Sequence, residues 1–273
     1  TAFFRRFAPK TIETMTAALG REAIAFMPDI VAPALVRIHK QVDVLVDFLR
    51  AQPPESFFRQ LYAIKMEECL ASGDWRTVNV GIKLAGALGR CDRVGDLLRH
   101  FRNGNPFMRR NVLKALEHMG CEVPGLEELL ARAVGDTYFE VRAAAFPLAT
   151  ANSARVARDL ALAERLRMAV ERRFQHFLVR VEGLRSLPML LPYAAYFRVA
   201  WRFRYDANVR VRRAILEGSL AALDAGRLGE KDLEMAERLL NDMLITTSDF
   251  TPQFRIRERY VELYRRLGEA RRG

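Results

Sequence analysis

Asp136-Thr137-Tyr138-Phe139-Glu140-Val141-Arg142-Ala143-Ala144-Ala145-Phe146-Pro147-Leu148-Ala149 holds the arrangement that decides the architecture of this 273-residue chain. An acid stands at its head, an aliphatic side chain follows five residues on, an Arg comes directly after that, and small and apolar residues complete the run. The head recurs, with Asn allowed for the acid and Met or an aromatic for the aliphatic residue, as Asn103…Met108-Arg109, Asp206…Val211-Arg212 and Asp249…Phe254-Arg255. A weaker copy, Val179-Arg180, has no acid six positions ahead of its Arg. Successive Arg residues fall 33, 38, 32 and 43 apart. A period of that size marks helix pairs stacked side by side, because one pair cannot bury its apolar face alone.

Working outward, each Arg opens a helix with a small and aliphatic stripe: Val112, Leu113, Ala115 and Leu116; Val141, Ala144, Ala145 and Leu148; Val211, Ala214, Ile215 and Gly218. Spacings of three and four put such residues on one face, and small ones let neighbouring helices approach. Leu126 to Ala133 reads as a companion helix, and Leu233 to Leu244 aligns Leu233, Ala236, Leu239, Leu240, Met243 and Leu244. Turn signals fall between these runs, at Gly73-Asp74, Asn103-Gly104-Asn105-Pro106, Pro124-Gly125, Gly135-Asp136, Asn152-Ser153, 226–229 and 248–252. No stretch alternates with period two, so strands are not expected.

Asp136 to Ala149 and Asp206 to Leu216 resemble HEAT repeats, especially the bacterial HEAT-like class familiar from phycobilisome lyases and many scaffold proteins. The resemblance covers roughly 74–273. It implies an all-α, right-handed α-solenoid of about five HEAT-like repeats and says little about function. Two departures stand out: 174–205 lacks the acid, and Pro147 interrupts a second helix, where a kink or early stop is expected.

Residues 1–73 do not follow the repeat. Helices are expected around Thr11 to Met27, Ala34 to Leu49 and Ser56 to Ala71, with Ile38, Val42, Leu45, Val46 and Leu49 forming an apolar stripe. An N-terminal helical cap covering the end of the stack is one reading of this segment, a docking element the other. Phe3-Phe4-Arg5-Arg6-Phe7 would also suit contact with a membrane surface. The chain begins at Thr1 rather than Met, as a trimmed form or a domain of a longer protein would.

Composition bounds the rest. Half the residues are apolar and 28% are charged, a globular balance. The longest apolar-looking run, Ser186 to Trp201, carries Pro188, Pro192 and Arg198 and is too short to span a bilayer. Cys91 and Cys121 follow matching phrases, Leu88-Gly89-Arg90 and Met119-Gly120. If they end equivalent stacked helices, their Cα atoms should stand about one helix diameter, on the order of 10 Å, apart. That is too far for a disulfide, so three thiols including Cys69 and a reducing, cytoplasmic setting are expected. The net charge of +11 is uneven, with 14 Arg against five acids in 155–213. This is either Arg abundance on a solvated face or a true anion-facing surface.

Catalytic and cofactor patterns are missing. His39, His100, His118 and His176 fall in separate segments, and His118 with Cys121 would give only two metal ligands. Gly81 and Gly86 lie in a helical pattern rather than a phosphate loop, and no GxSxG turn is present. No cofactor or metal is therefore expected. The recurring pairs Asn103/Arg109, Asp136/Arg142, Asp206/Arg212 and Asp249/Arg255 read as a structural ladder, each acid accepting from backbone N–H groups and from the next repeat's Arg. A row of anion sites is the rival reading.

The stretch from Tyr196 to Arg213 is the most suggestive for binding. On a helix, Arg198, Trp201, Arg202 and Tyr205 share a face, and Arg210 and Arg213 follow. Arg with Trp and Tyr is hot-spot composition and also suits stacked bases, or else the aromatics fill the core while the Arg heads snorkel outward. The expected function is a non-enzymatic scaffold offering a concave, Arg-rich surface to a protein with an acidic face. Nucleic-acid binding through 155–213 is the alternative, and a HEAT-type glycosylase or lyase a third.

Overall fold

A computed structural model describes residues 39–246 and 256–272, with side chains from 42 to 244, except that of Asn103, and from 257 to 272. The helix expected at Thr11 to Met27, the aromatic-basic start, and Asp249 and Arg255 lie outside these. Every regular element described is helical. They are α1 (His39–Ala51), α2 (Phe57–Leu70), α3 (Trp75–Leu88), α4 (Val94–Asn103), α5 (Pro106–Met119), α6 (Leu126–Val134), α7 (Phe139–Ala151) and α8 (Ser153–Val156). There follow α9 (Leu160–Glu171), α10 (Phe177–Leu190), α11 (Tyr193–Phe203), α12 (Val209–Asp224), α13 (Glu230–Thr246) and α14 (Ile256–Ala270). Among the described residues no helix is long and apolar enough to cross a membrane.

Local chemistry sets these boundaries. Asp74 accepts from the backbone N–H of Thr77 at the start of α3, Asn105 from Met108 ahead of Pro106 in α5, Asp159 from Leu162 in α9 and Asn208 from Arg210 in α12. Helices α3 and α5 end on Gly89 and Gly120, whose φ of 67° and 64° suits glycine best. Pro147 does not stop α7, which runs four residues further to Ala151. Buried Val141, Ala145, Phe146 and Leu148 hold that helix against its neighbours and outweigh the one hydrogen bond that proline removes.

Packing divides the chain into two compact units, 1–124 and 125–273. The expected segment 1–73 contributes α1 and α2, both of which pack on α3, within the first unit. In that unit α3 packs on α1, α2 and α5, and α4 packs on α5. Arg59 on α2 fastens the arrangement: Nη1 donates to the Leu49 and Ala87 carbonyls at 2.9 and 3.2 Å, and Nη2 to that of Leu88 at 2.7 Å. The Ala87 and Leu88 carbonyls are open ones at the end of α3, which otherwise need water or a cap, while that of Leu49, at the end of α1, also accepts from Gln52 N. In the second unit α7 packs on α10, α10 on α12 and α12 on α14. The companion helices also touch, α6 with α9 and α11 with α13.

One expectation is overturned in the first unit. Cys91 and Cys121 form a disulfide, with Cα atoms 5.6 Å apart instead of a helix diameter. The reason is the small-residue contact between α3 and α5, where a Cβ on Gly86 would stand 2.7 Å from the Ala115 Cα. Helices this close, both leaving through left-handed glycines, bring the following residues together. Cys69 remains a buried free thiol, and the cysteine argument for a reducing setting falls.

Candidate functional site

Arg109, Arg142, Arg180 and Arg212 sit at the turns that open successive helices. Arg142 Nη1 donates to the carbonyls of Asp136 at 2.7 Å and Thr137 at 2.9 Å, in its own turn. Arg212 repeats this on Asp206 at 2.6 Å, and Arg109 on Gly104 at 2.8 Å. The acids cap the same turns: Asp136 accepts from Tyr138 N and Asp206 from Asn208 N, both at 2.8 Å. The link between repeats runs opposite to the direction expected. Asp206 receives Arg180 Nη1 of the preceding repeat at 3.1 Å, rather than an Arg of the following one. The guanidinium lies just inside its helix, so it spans its own turn and reaches forward along the row.

The repeat without an acid keeps the link through an amide. Gln175 Oε1 accepts from Arg142 Nε and Nη2 at 3.2 and 3.0 Å, and its Nε2 donates to the Ala169 carbonyl at 2.7 Å. Burial, with the Arg172 charge nearby, holds Arg142 below the ordinary guanidinium range, and Asp136 opposes this. Gln175 is itself buried, so deleting it strands a charged donor and a carbonyl. Gln175→Ala is therefore expected to cost about 2 kcal/mol, read as a lower denaturant midpoint at unchanged slope. Gln175→Glu, which keeps an acceptor for Arg142, should lose less.

The six residues singled out for binding do not form one face. Helix α11 ends at Phe203, and Tyr205 lies in the turn beyond it, where Asp206 N already bonds the Phe203 carbonyl. Helical spacing therefore fails for Tyr205. Trp201 and Tyr205 instead flank Arg204, whose guanidinium carbon lies 4.1 Å from each ring centroid. Arg204 Nε and Tyr205 Oη both donate to Asp242 Oδ2 at 2.5 Å, which holds that carboxyl below its ordinary range, the tyrosine bond contributing most. Arg238 approaches the Trp201 ring at 5.1 Å, so this cluster clamps α11 to α13. Arg213 is engaged by Glu217 at 2.6 Å, which also receives Arg185 at 2.6 Å. Arg210 is exposed, its guanidinium 5.9 Å from the Phe177 ring. Arg198 and Arg202 are exposed on α11, and Arg202 comes within 3.5 Å of Glu171 on α9.

The deeper aromatics of this stretch are core. Tyr196 is fully buried and donates to the Ile215 carbonyl at 2.9 Å, and Tyr193 meets Ser219 at 3.1 Å. Burial pushes both phenols up, Tyr193 to about 12.

A groove that sequence spacing did not indicate opens in the second unit between α6 and α9, with a volume of about 660 Å³. Ala131, Val134 and Gly135 line one side, and Arg165, Met168 and Arg172 the other. Met168 is 59% exposed, and Phe174, in the loop after α9, is 91% exposed beneath the Arg173 guanidinium at 5.1 Å. Glu164 and Glu171, the acids of α9, both pair with Arg167. Among the described residues no group of three or more His, Cys, Asp or Glu is placed to hold a metal ion. No protein-family model matches the chain, and no curated protein does either.

Proposed function

We propose that this chain is a HEAT-like α-solenoid that serves as a non-enzymatic docking module for a protein with an acidic face. The forward-reaching Arg142–Gln175 and Arg180–Asp206 links and the side-by-side order of α7, α10, α12 and α14 support the repeat reading. One observation carries the partner reading. Met168 and Phe174 stand in solvent among Arg165, Arg172 and Arg173, while the nearest acids are occupied by Arg167. Apolar anchors ringed by cations complement an amphipathic surface with carboxylates at its rim. Arg202, beside Glu171, and Arg198 one turn away extend the positive side along α11.

A second reading, nucleic-acid binding, draws support from Arg173 over exposed Phe174 and Arg210 over half-buried Phe177, since rings with Arg above them suit stacked bases. The two separate on one experiment with the full chain. An acidic protein partner is expected to survive nuclease treatment and to bind about tenfold more weakly to the Arg165→Glu/Arg172→Glu variant, at unchanged melting temperature. Capture abolished by nuclease, with affinity falling steeply in salt, supports the nucleic-acid reading. Binding indifferent to both changes overturns the assignment of this surface.

A further inference from the structure

A second cavity, of about 310 Å³ and entirely within the first unit, lies between α1, α3 and α5. Its floor is built from small residues, Gly86, Ala87 and Ala115, and from Asn111, which is 2% exposed. Asn111 Nδ2 donates to Asn79 Oδ1 at 2.8 Å, so the floor is both polar and fixed. The walls are rigid helices rather than loops, and a site of this volume matches a small ligand.

The charges around it are unequal. Helix α5 turns Arg110, Lys114 and His118 toward the cavity, each four residues after the last. Like charges at that spacing repel on an isolated helix. Helix α1 adds Arg50, and α3 adds Lys83. Against these four cations and the His118 imidazole stand two carboxylates, Asp43 and Asp47, both on α1. Asp43 is occupied by Lys83 at 2.6 Å, and Asp47 lies 4.0 Å from Arg50. Lys114 and His118 thus share a concave surface with Arg50 and face a surplus of positive charge. His118 accordingly lies below the ordinary imidazole range: burial is the main cause, the Arg50 and Lys114 charges add to it, and Asp47 opposes.

We propose that this cavity binds a compact polyanion, a small molecule bearing two or more phosphate or carboxylate groups, held by Lys114, His118, Arg50 and Arg110 over the Asn111 floor. The ligand supplies the countercharge that the helices lack. The packing of α1 and α5 on α3 fixes the helices that carry these cations, while the exposed Arg50 and Lys114 side chains order on the oxyanions as the ligand binds. Lys83 and Asp43 serve as a spacer that fixes α1 to α3 and sets the width of the opening. This site is separate from the α6/α9 groove and does not depend on what binds there.

Titration of the full chain with sodium tripolyphosphate and with citrate, at constant ionic strength, tests the proposal. Constant ionic strength removes general screening as a source of any shift. At least one of the two is expected to bind by calorimetry and to raise the unfolding temperature of the first unit. Lys114→Glu is expected to weaken that binding about tenfold or more, and Lys114→Gln by less, because only the former adds repulsion. Lys114 is exposed, and the unliganded melting temperature confirms that each variant folds. Binding of tripolyphosphate alone assigns a phosphorylated ligand, whereas binding of both assigns the shared oxyanion chemistry. With ligand bound the His118 imidazole pKa rises, while that of His100, which does not line the cavity, stays fixed. No binding by either compound, equal binding to Lys114→Glu, or an unmoved His118 overturns the proposal.

Discussion

Breaking the Cys91–Cys121 bond lowers the stability of the first unit by about 3.6 kcal/mol, the chain-entropy value for a 30-residue loop. The bond joins segments just beyond the ends of α3 and α5, two helices already in close contact at Gly86 and Ala115. It therefore acts mainly by restricting the unfolded chain, not by drawing the folded elements together. Each unit contains one of the two tryptophans, Trp75 in the first and Trp201 in the second, so the effect can be localised. In a Trp201→Phe background, the Trp75 fluorescence of the Cys91→Ser variant is expected to report the full loss. Adding Cys121→Ser should change little more, because the cross-link can be removed only once. Dithiothreitol should produce the same shift in the parent and none in the variant. Equal melting of the reduced and unreduced parent would show that the thiols are not joined. An intact bond in protein from its native cell would place folding in an oxidising compartment, since reducing cytosol does not sustain structural disulfides.

Local signals carried most of the architecture. Capping acids and amides, left-handed glycines and stripes at spacings of three and four lie within one helix length of the features they specify. Accordingly, α2 and α6 fall within a residue of their expected bounds, and α13 within three. The failures required information from elsewhere in the fold. The 5.6 Å separation at Cys91–Cys121 follows from how closely α3 and α5 approach, which depends on Gly86 meeting Ala115 and not on either cysteine's neighbours. Gln175 lies five residues ahead of its Arg, whereas the acids lie six ahead, and it is an amide. Searching for any acceptor within one position of the expected site would have found it. Arg59 gave no signal because its acceptors are main-chain carbonyls 10, 28 and 29 residues away. The candidate binding stretch failed at Tyr205 for a local reason: the helix ends two residues earlier, and the aromatic ring turns onto Arg204.

The same contrast bears on the Arg surplus, which is a sequence fact but not by itself a surface fact. Arg155 is held by Glu127, Arg180 by Asp206, Arg204 by Asp242 and Arg213 by Glu217. Partners of this kind lie 26 to 38 residues away or one helical turn along. What distinguishes Arg165, Arg172 and Arg173 is their position beside exposed Met168 and Phe174. A charge count over 155–213 cannot separate these from the Arg residues that knit helices together.

Gly218→Ala is expected to be among the most damaging single changes in the second unit, despite adding only a methyl group. A Cβ at this position would stand 2.3 Å from the Leu184 carbonyl oxygen, 2.9 Å from Tyr196 Oη and 3.1 Å from Pro188 Cγ. The first contact is with backbone and cannot be relieved by a rotamer change. Leu184 is also the residue whose carbonyl the helix leaves open, because Pro188, four residues on, has no N–H to donate. The freed oxygen points at the Gly218 backbone across the α10–α12 contact, close enough for a Cα–H donor to substitute in part. Alanine would force the two helices apart and disturb the Tyr196 bond to Ile215 within the same turn. The expected cost is about 3 kcal/mol, at the upper end of overpacking penalties. In a unit of this size that lowers the melting temperature by roughly 6 to 12 °C, measured through Trp201 in a Trp75→Phe background. Gly268→Ala in α14 is the matched control: it meets nothing within 4 Å and is expected to raise stability by about 0.5 to 1 kcal/mol. Opposite signs for the same substitution would place the limit on side-chain size at the α10–α12 contact. A neutral Gly218→Ala would show that these helices stand further apart than described, and with that the side-by-side order on which the repeat reading rests would fail.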